Sequence, residues 1–148
     1  MYRQILPVPV LAAACALLLS GCAANAPATP AVFHREATAE DVFPAGLAIP
    51  EDPLMENVRL LADVDGVRYY GAISEGPAAV CLVKVPDNSQ GDFIAGCGSS
   101  AVPGRIVTVS GAGGTAATFV TDGFETKMLE DQGWRKVHEN VLIGPSQG

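Results

Sequence analysis

The sequence has little positive charge, few aromatic side chains and only two histidines. Its 148 residues contain 9 Lys and Arg against 16 Asp and Glu, for a formal net charge of −7. Nucleic-acid binding depends on clustered Lys and Arg that neutralise phosphates, so this composition excludes nucleic acid as the partner. Charged residues make up only 17% and hydrophobic residues 49%, which excludes a globally disordered chain.

The common catalytic and metal-binding motifs are also missing. There is no Gly-x-Ser-x-Gly elbow, no Ser-x-x-Lys pair, and no Cys-x-x-Cys or paired-histidine arrangement for zinc. The glycine run at 111–114 lacks the lysine of a phosphate-binding loop, and a strand is predicted after it, so we interpret it as a hairpin turn. We therefore predict no catalytic residue, no metal ligand and no cofactor.

The two histidines do not form a catalytic set. His34 falls in a segment predicted to be a linker, which lacks the rigid frame that a catalytic site needs. His138 and Glu139 are neighbours in a predicted strand and point to opposite faces, which prevents a simple acid–base dyad. Three aromatic residues are predicted to pack in the core rather than to form a ligand platform, because a small domain needs its large apolar side chains. They are Tyr69, Tyr70 and Trp134.

A short apolar segment stands near the N-terminus. Residues 5–19 are almost wholly apolar and follow Arg3. The segment is shorter than the roughly 20 apolar residues that a membrane-spanning helix needs. Its length is typical of the hydrophobic region of a signal peptide, so we predict an export signal over residues 1–21.

The segment ends in Leu19-Ser20-Gly21-Cys22, which resembles the lipobox of bacterial lipoproteins. The resemblance implies that the Cys22 thiol carries a diacylglyceryl group and that cleavage makes Cys22 the new N-terminus. Two acyl chains hold a protein durably on a bilayer, whereas one chain holds it only marginally. The expected location is the outer face of the cell membrane, or the outer membrane in a diderm bacterium, since Ala23 is not Asp. The alternative is an ordinary secretory signal followed by a chance cysteine.

The sequence has four cysteines, of which two remain for the folded domain. Cys15 lies inside the predicted signal peptide, and Cys22 is the predicted lipid site. Cys81 and Cys97 are then an even pair in an exported protein, where disulfides form. We predict a disulfide between them, with two buried free thiols as the alternative.

The rest of the chain divides into a tether and a domain. After the lipidated cysteine, residues 22–51 are rich in Pro and Ala, a composition that does not form a core and keeps a chain extended. The more apolar stretch at 41–49 is expected to dock on the domain as an irregular strap. A β-rich globular domain is predicted over residues 52–144, followed by a tail at 145–148.

The first predicted hairpin turns at Asp65-Gly66, a dipeptide favoured in two-residue hairpin turns. Pairing outward from this turn, residue by residue, places Leu60 opposite Gly71 and collects the apolar side chains on one face. The same register places Asp63 opposite Arg68 as a pair of opposite charges.

The second predicted hairpin combines residues 80–85 with residues 93–97 across a polar turn. Setting 85 opposite 93 brings Cys81 directly opposite Cys97. Paired residues of antiparallel strands are close enough for a disulfide, so the strand prediction and the disulfide prediction support each other.

Further strands are predicted over 105–110, 115–121 and 134–143, with a short helix or loop over 125–132. A helical turn is predicted over 52–57. The sum is a mainly β chain: a small antiparallel β domain, either a sandwich or a partly open barrel. It would have about seven short strands and at most one or two short helices.

Several segments together resemble small lipoproteins and secreted proteins of high-GC actinobacteria that lack a known function. The resemblance spans about residues 52–143, implies an envelope with a single membrane, and is compatible with a Cys81–Cys97 bridge. It implies no catalytic residue. The segments are Asp65-Gly66-Val67-Arg68-Tyr69-Tyr70, Val80-Cys81-Leu82-Val83, Cys97, Val120-Thr121-Asp122-Gly123, Gly133-Trp134 and Glu139-Asn140-Val141.

The expected function is that of a lipid-anchored extracytoplasmic envelope protein, acting as a non-enzymatic binding or structural module. Its partners would be the membrane, through the lipid, and an envelope protein, a wall glycan or a small ligand. The alternative is an envelope hydrolase or other enzyme with a site on the loops at 86–92, 98–104 or 122–133. A cleft that brings catalytic side chains together would favour the enzyme, and a large apolar patch would favour binding.

Overall fold

The computed structural model describes residues 29–74, 79–88, 90–111 and 115–145. The predicted signal peptide and the predicted lipid site at Cys22 lie outside these residues. Within them the chain is mainly β, as predicted, with eight strands in two four-stranded antiparallel sheets. A 3₁₀ helix over Ala31–His34 and one short helix, α1 (Lys127–Glu130), complete the described elements.

The two sheets follow one another along the chain. The first sheet has the order β1-β2-β3-β4 and the second has the order β5-β6-β8-β7. In the first sheet the strands are β1 (Met55–Val64), β2 (Val67–Ser74), β3 (Ala79–Pro86) and β4 (Ile94–Ser99). In the second they are β5 (Arg105–Ser110), β6 (Thr115–Val120), β7 (Arg135–His138) and β8 (Val141–Pro145). Buried side chains from both sheets form one apolar cluster, so the sheets pack face to face as a sandwich.

The predicted register of the first hairpin is confirmed near the turn and fails beyond it. Ala62 pairs with Tyr69 as expected, but Leu61 is an extra residue in β1. Leu60 therefore pairs with Tyr70 and not with the glycine after it. The bulge turns Leu61 into the core between the sheets, where it is 7% exposed, and puts Leu60 on the outer face.

The charge pair predicted inside this hairpin also differs. Asp63 and Arg68 are paired in the register, as expected. The salt bridge of Arg68, however, is made with Asp87 in the turn after β3, at 3.1 Å between Nε and Oδ1. The predicted pairing of positions 63 and 68 is therefore confirmed, but the carboxylate that Arg68 binds is that of Asp87 in the loop.

The second hairpin has the predicted register, and it contains the predicted disulfide. Cys81 pairs with Cys97 and the two are bonded, with Cα atoms 4.0 Å apart. Cys81 is fully buried, whereas Cys97 lies exposed on the edge strand β4. The bond therefore ties the outer edge of the first sheet to its interior strand.

Two predicted boundaries are wrong. The helical turn predicted over 52–57 is not formed, because residues 52–54 are irregular and β1 begins at Met55. The single last strand predicted over 134–143 is two strands, β7 and β8, which pair with each other. The chain reverses at Asn140, which is 1% exposed and whose side-chain amide donates to the main-chain oxygen of Val120 at 3.1 Å.

The remaining predicted elements agree with the structure. Strands β5 and β6 and the short helix α1 occupy the predicted segments. The turn predicted at 111–114 lies mostly outside the described residues, which stop at 111 and resume at 115. The three aromatic residues predicted for the core are all 4% exposed or less, namely Tyr69, Tyr70 and Trp134.

The N-terminal part of the described chain packs on the sandwich, in contrast to the predicted tether. Phe33 is 4% exposed inside the main core and stacks on Phe119, with ring centroids 6.2 Å apart. Phe43 and Leu47 cover the outer face of the first sheet, where Phe43 meets the edge of the Tyr70 ring. Phe43 and Leu47 belong to the stretch at 41–49 that was expected to dock, and they pack as expected. The burial of Phe33, earlier in the predicted tether, was not expected, and we extend the name strap to residues 30–47.

A buried carboxylate holds the strap in place. The Asp41 side chain is 1% exposed and accepts hydrogen bonds from both terminal nitrogens of Arg35, at 2.5 and 2.7 Å. It also accepts from the main-chain N–H groups of Thr38 and Leu60, each at 2.7 Å. These bonds, led by the Arg35 guanidinium, hold the pKa of the Asp41 carboxyl well below its usual range. The bond to Leu60 joins the strap to β1.

Replacing Asp41 by Asn should lower the free energy of unfolding by about 2–3 kcal/mol at pH 7, because charge-assisted bonds are lost. An aspartate whose pKa is depressed by folding stabilises the fold above its unfolded pKa of about 3.9. The difference between Asp41→Asn and the parent should therefore shrink as the pH falls below about 4. Denaturant unfolding across this pH range measures both effects.

Asp131→Asn is the matched control, since Asp131 pairs with Lys127 on the surface, where both side chains are well exposed. We expect its cost to stay below about 0.5 kcal/mol. Equal costs for the two variants would show that the buried carboxylate does not hold the strap.

Candidate functional site

A pocket opens at the end of the sandwich where the hairpin turns lie. Its volume is about 970 Å³. Gly96 and Gly98 allow β4 to lie close against β5, because a Cβ at Gly98 would be 2.0 Å from the main-chain oxygen of Ile106. This contact brings the turn after β3 beside the start of the turn after β5. The apolar wall of the pocket is Val67, Pro86, Phe93 and Ile94. Its polar lining is Lys84, Asn88, Gln90, Asp92, Ser110 and Thr115.

Lys84 is the buried charge of this pocket. In β3 the side chains of Val80, Leu82 and Lys84 share the face that meets the second sheet. Lys84 is 2% exposed, and its Nζ donates to the main-chain oxygen of Thr115 at 2.9 Å and to the Thr115 hydroxyl at 2.8 Å. Burial lowers the pKa of Lys84.

Within the described residues, the hydrogen-bond partners of this ammonium are two neutral oxygens. A lysine ammonium carries three donors, and two of them are used on Thr115. No carboxylate of the described residues lies within 4.0 Å of the Lys84 Nζ. An unpaired buried charge costs several kcal/mol, and a buried, perturbed titratable group in a cleft marks a candidate functional site.

Sequence analysis did not single out Lys84, although one signal was present. In residues 80–85 all residues except Lys84 are apolar, and Lys84 falls on the same face of the strand as Val80 and Leu82. A lysine on the inward face of a buried strand is uncommon, because burial of its charge is costly. Whether that face is covered depends on the second sheet, which the local pattern does not describe.

The two histidines lie away from this pocket. His34 is exposed at the end of the 3₁₀ helix. His138 is half-buried at the end of β7, and its Nδ1 accepts a hydrogen bond from the main-chain N–H of Asn140 at 3.1 Å. Burial lowers the pKa of His138, so its neutral form is favoured. Its contacts shape the turn between β7 and β8.

The loops considered for an enzymatic site are divided between the two ends of the sandwich. The loop at 86–92 lines the Lys84 pocket. The loops at 98–104 and 122–133 lie at the opposite end. There the main-chain N–H of Thr121 donates to the main-chain oxygen of Gly104 at 3.0 Å. The three loops therefore do not form one cleft.

A smaller pocket of about 390 Å³ lies between the strap and the first sheet. Glu40, Asp63 and Arg68 line it, beside the aromatic rings of Phe43 and Tyr70. In the described parts of the chain, no group of three or more His, Cys, Asp or Glu is placed to hold a metal ion. Those parts also contain no helix long and apolar enough to cross a membrane.

Comparison of the chain with protein-family models, with curated proteins and with solved structures finds no match. Function is therefore inferred from the geometry of the Lys84 pocket and from the sequence features at the N-terminus.

Proposed function

We propose that the chain is a lipid-anchored extracytoplasmic binding protein that holds a small ligand in the Lys84 pocket. The observation that carries this proposal is the buried Lys84 ammonium, which lines a pocket and has only neutral partners on Thr115. Binding sites typically combine apolar walls with a few converging polar groups, and this pocket has both. An envelope enzyme is the rival proposal. The Thr115 hydroxyl accepts a hydrogen bond from the Lys84 ammonium at 2.8 Å, and a charged ammonium is a donor that cannot take up the hydroxyl proton.

The Cys81–Cys97 disulfide supports an extracytoplasmic location, because disulfides persist in oxidising compartments. The lipobox-like tetrapeptide ending at Cys22 supports the anchor. We therefore propose that acyl chains on Cys22 hold the folded domain at the outer face of a membrane.

The course of the chain supports a pocket that faces away from this membrane. The strap enters at Ala31, whose N–H donates to the Asp122 carboxylate at 2.8 Å. Strand β6 runs from Thr115 at the pocket to Val120 at the other end, next to Asp122. The entry point and the pocket therefore lie at opposite ends of the sandwich, so an anchored domain would present its pocket to the envelope.

Labelled palmitate should enter the native protein, and the mature N-terminal peptide should carry a diacylglyceryl mass on Cys22. The variant Cys22→Ser should incorporate no label, because the acceptor thiol is gone. Cys15→Ser is the matched control and should label like the parent, since Cys15 lies in the predicted signal peptide. An unmodified Cys22 at the mature terminus, or cleavage at another position, would refute the anchor.

A further inference from the structure

We propose that the ligand of the Lys84 pocket is a small carboxylic acid with a hydrocarbon part. This inference rests on the proposed binding function and names the ligand class. The carboxylate would meet the buried ammonium, and the hydrocarbon would lie on the apolar wall.

The Lys84 ammonium offers a ligand one buried positive charge. The ammonium is 2% exposed and uses two of its three donors on uncharged oxygens of Thr115. A ligand carboxylate could accept the third bond, and a hydrogen bond between two charged groups is about twice as strong as a neutral one. The ligand would also supply the negative charge that no described side chain places beside Lys84.

The neighbouring groups favour one negative charge over several. Among the described residues that line the pocket, Lys84 is the only cation, and none is an arginine that could hold a phosphate with two parallel bonds. Asp92 also lines the pocket but is exposed, so its charge stays in water and would repel a polyanion. The net charge of −7 acts in the same direction. A monoanionic carboxylate therefore fits better than a phosphate.

The rest of the lining indicates what the carboxylate is attached to. Val67, Pro86, Phe93 and Ile94 offer an apolar surface beside the lysine. Each methylene group buried there would tighten binding about fourfold. The volume of about 970 Å³ lies at the upper end of the range of small-molecule pockets. A short aliphatic acid would use both parts of the lining.

Three probes of equal chain length test this inference: hexanoate, hexanol and hexylamine. They would be titrated by calorimetry, and by NMR of the backbone amides, into the mature chain that begins at Cys22. We expect hexanoate to bind at least tenfold more tightly than hexanol, with shifts centred on Lys84, Ser110 and Thr115. Hexylamine should bind more weakly still, because its ammonium would face that of Lys84.

Variants at position 84 then assign the effect to the charge. Lys84→Met should weaken hexanoate at least tenfold and leave hexanol unchanged. Lys84→Gln keeps a donor for Thr115 without the charge, and we expect the same loss of hexanoate affinity as in Lys84→Met. If one of the two variants fails to fold, the other still tests the role of the charge. Lys136→Met is the matched control, because Lys136 is exposed on β7, and it should bind hexanoate like the parent.

The outcomes separate the ligand class from the binding function. If hexanoate and hexanol bind equally in the pocket, and the Lys84 variants change neither affinity, the inference of a carboxylate ligand would be wrong. The proposed binding function would still stand. If none of the three probes perturbs residues of the pocket, the inference and the proposed binding function both fail.

Discussion

Replacing Phe33 by alanine should lower the free energy of unfolding by about 3–5 kcal/mol, the range typical of buried phenylalanines. The side chain is 4% exposed and stacks on Phe119 in the core between the sheets. Its loss would remove apolar burial, leave a cavity and detach the beginning of the strap. Denaturant unfolding followed by the fluorescence of Trp134, which is buried in a separate cluster, would measure the loss.

Val42→Ala is the matched control in the same strap, because Val42 is 62% exposed. We expect its effect to stay within about 0.5 kcal/mol. A similarly small effect of Phe33→Ala would show that the strap is an appendage and that the sandwich does not depend on it.

Removing the disulfide should cost about 3 kcal/mol, because the bridge closes a short loop and restricts the unfolded chain. The loop spans a sequence separation of 16 residues between Cys81 and Cys97. Reductant should therefore lower the denaturant midpoint of the parent, and the double variant Cys81→Ala, Cys97→Ala should show the same lower midpoint without reductant. Adding reductant to the double variant is the control and should change nothing. An unchanged midpoint in the reduced parent would mean that sheet pairing alone fixes this edge.

Most of the strand pairing could be predicted because its signals are local. The Asp65-Gly66 turn and the alternation beside it specify the register as far as Ala62 and Tyr69. The bulge at Leu61 could not be predicted in the same way, because Leu60 is also apolar and either residue suits the core. Packing against the second sheet selects Leu61, and that sheet is distant in sequence.

The strap shows a second limit of local patterns. Pro and Ala dominate residues 22–51, so the composition indicates an extended tether. Phe33 lies in that stretch, and its ring is buried because it fills a gap between β2 and β6. A Cβ at Gly71 would come within 3.1 Å of the Phe33 ring, so the missing side chain there makes room for it. Such complementarity appears only once the sheets are assembled.

The candidate site was predicted least well. The strand that carries Lys84 and the loop beside it were predicted, but the lysine was not identified as a site residue. Its importance depends on burial, which follows from the contact between β4 and β5 and from the hydrogen bonds to Thr115. The site is therefore a product of how two hairpins meet, and neither hairpin contains it alone.

If Cys22 carries the acyl chains that we propose, the docked strap would shorten the segment between them and the folded domain. Pro30, where the packed chain begins, is the eighth residue after Cys22. An extended chain of that length reaches about 28 Å, whereas a free segment as far as residue 51 would reach about 100 Å. A domain held this closely would stay within a thin layer above the lipid headgroups. Its ligand would then have to diffuse to the bilayer surface, and the protein would sample solutes there rather than across the depth of the envelope.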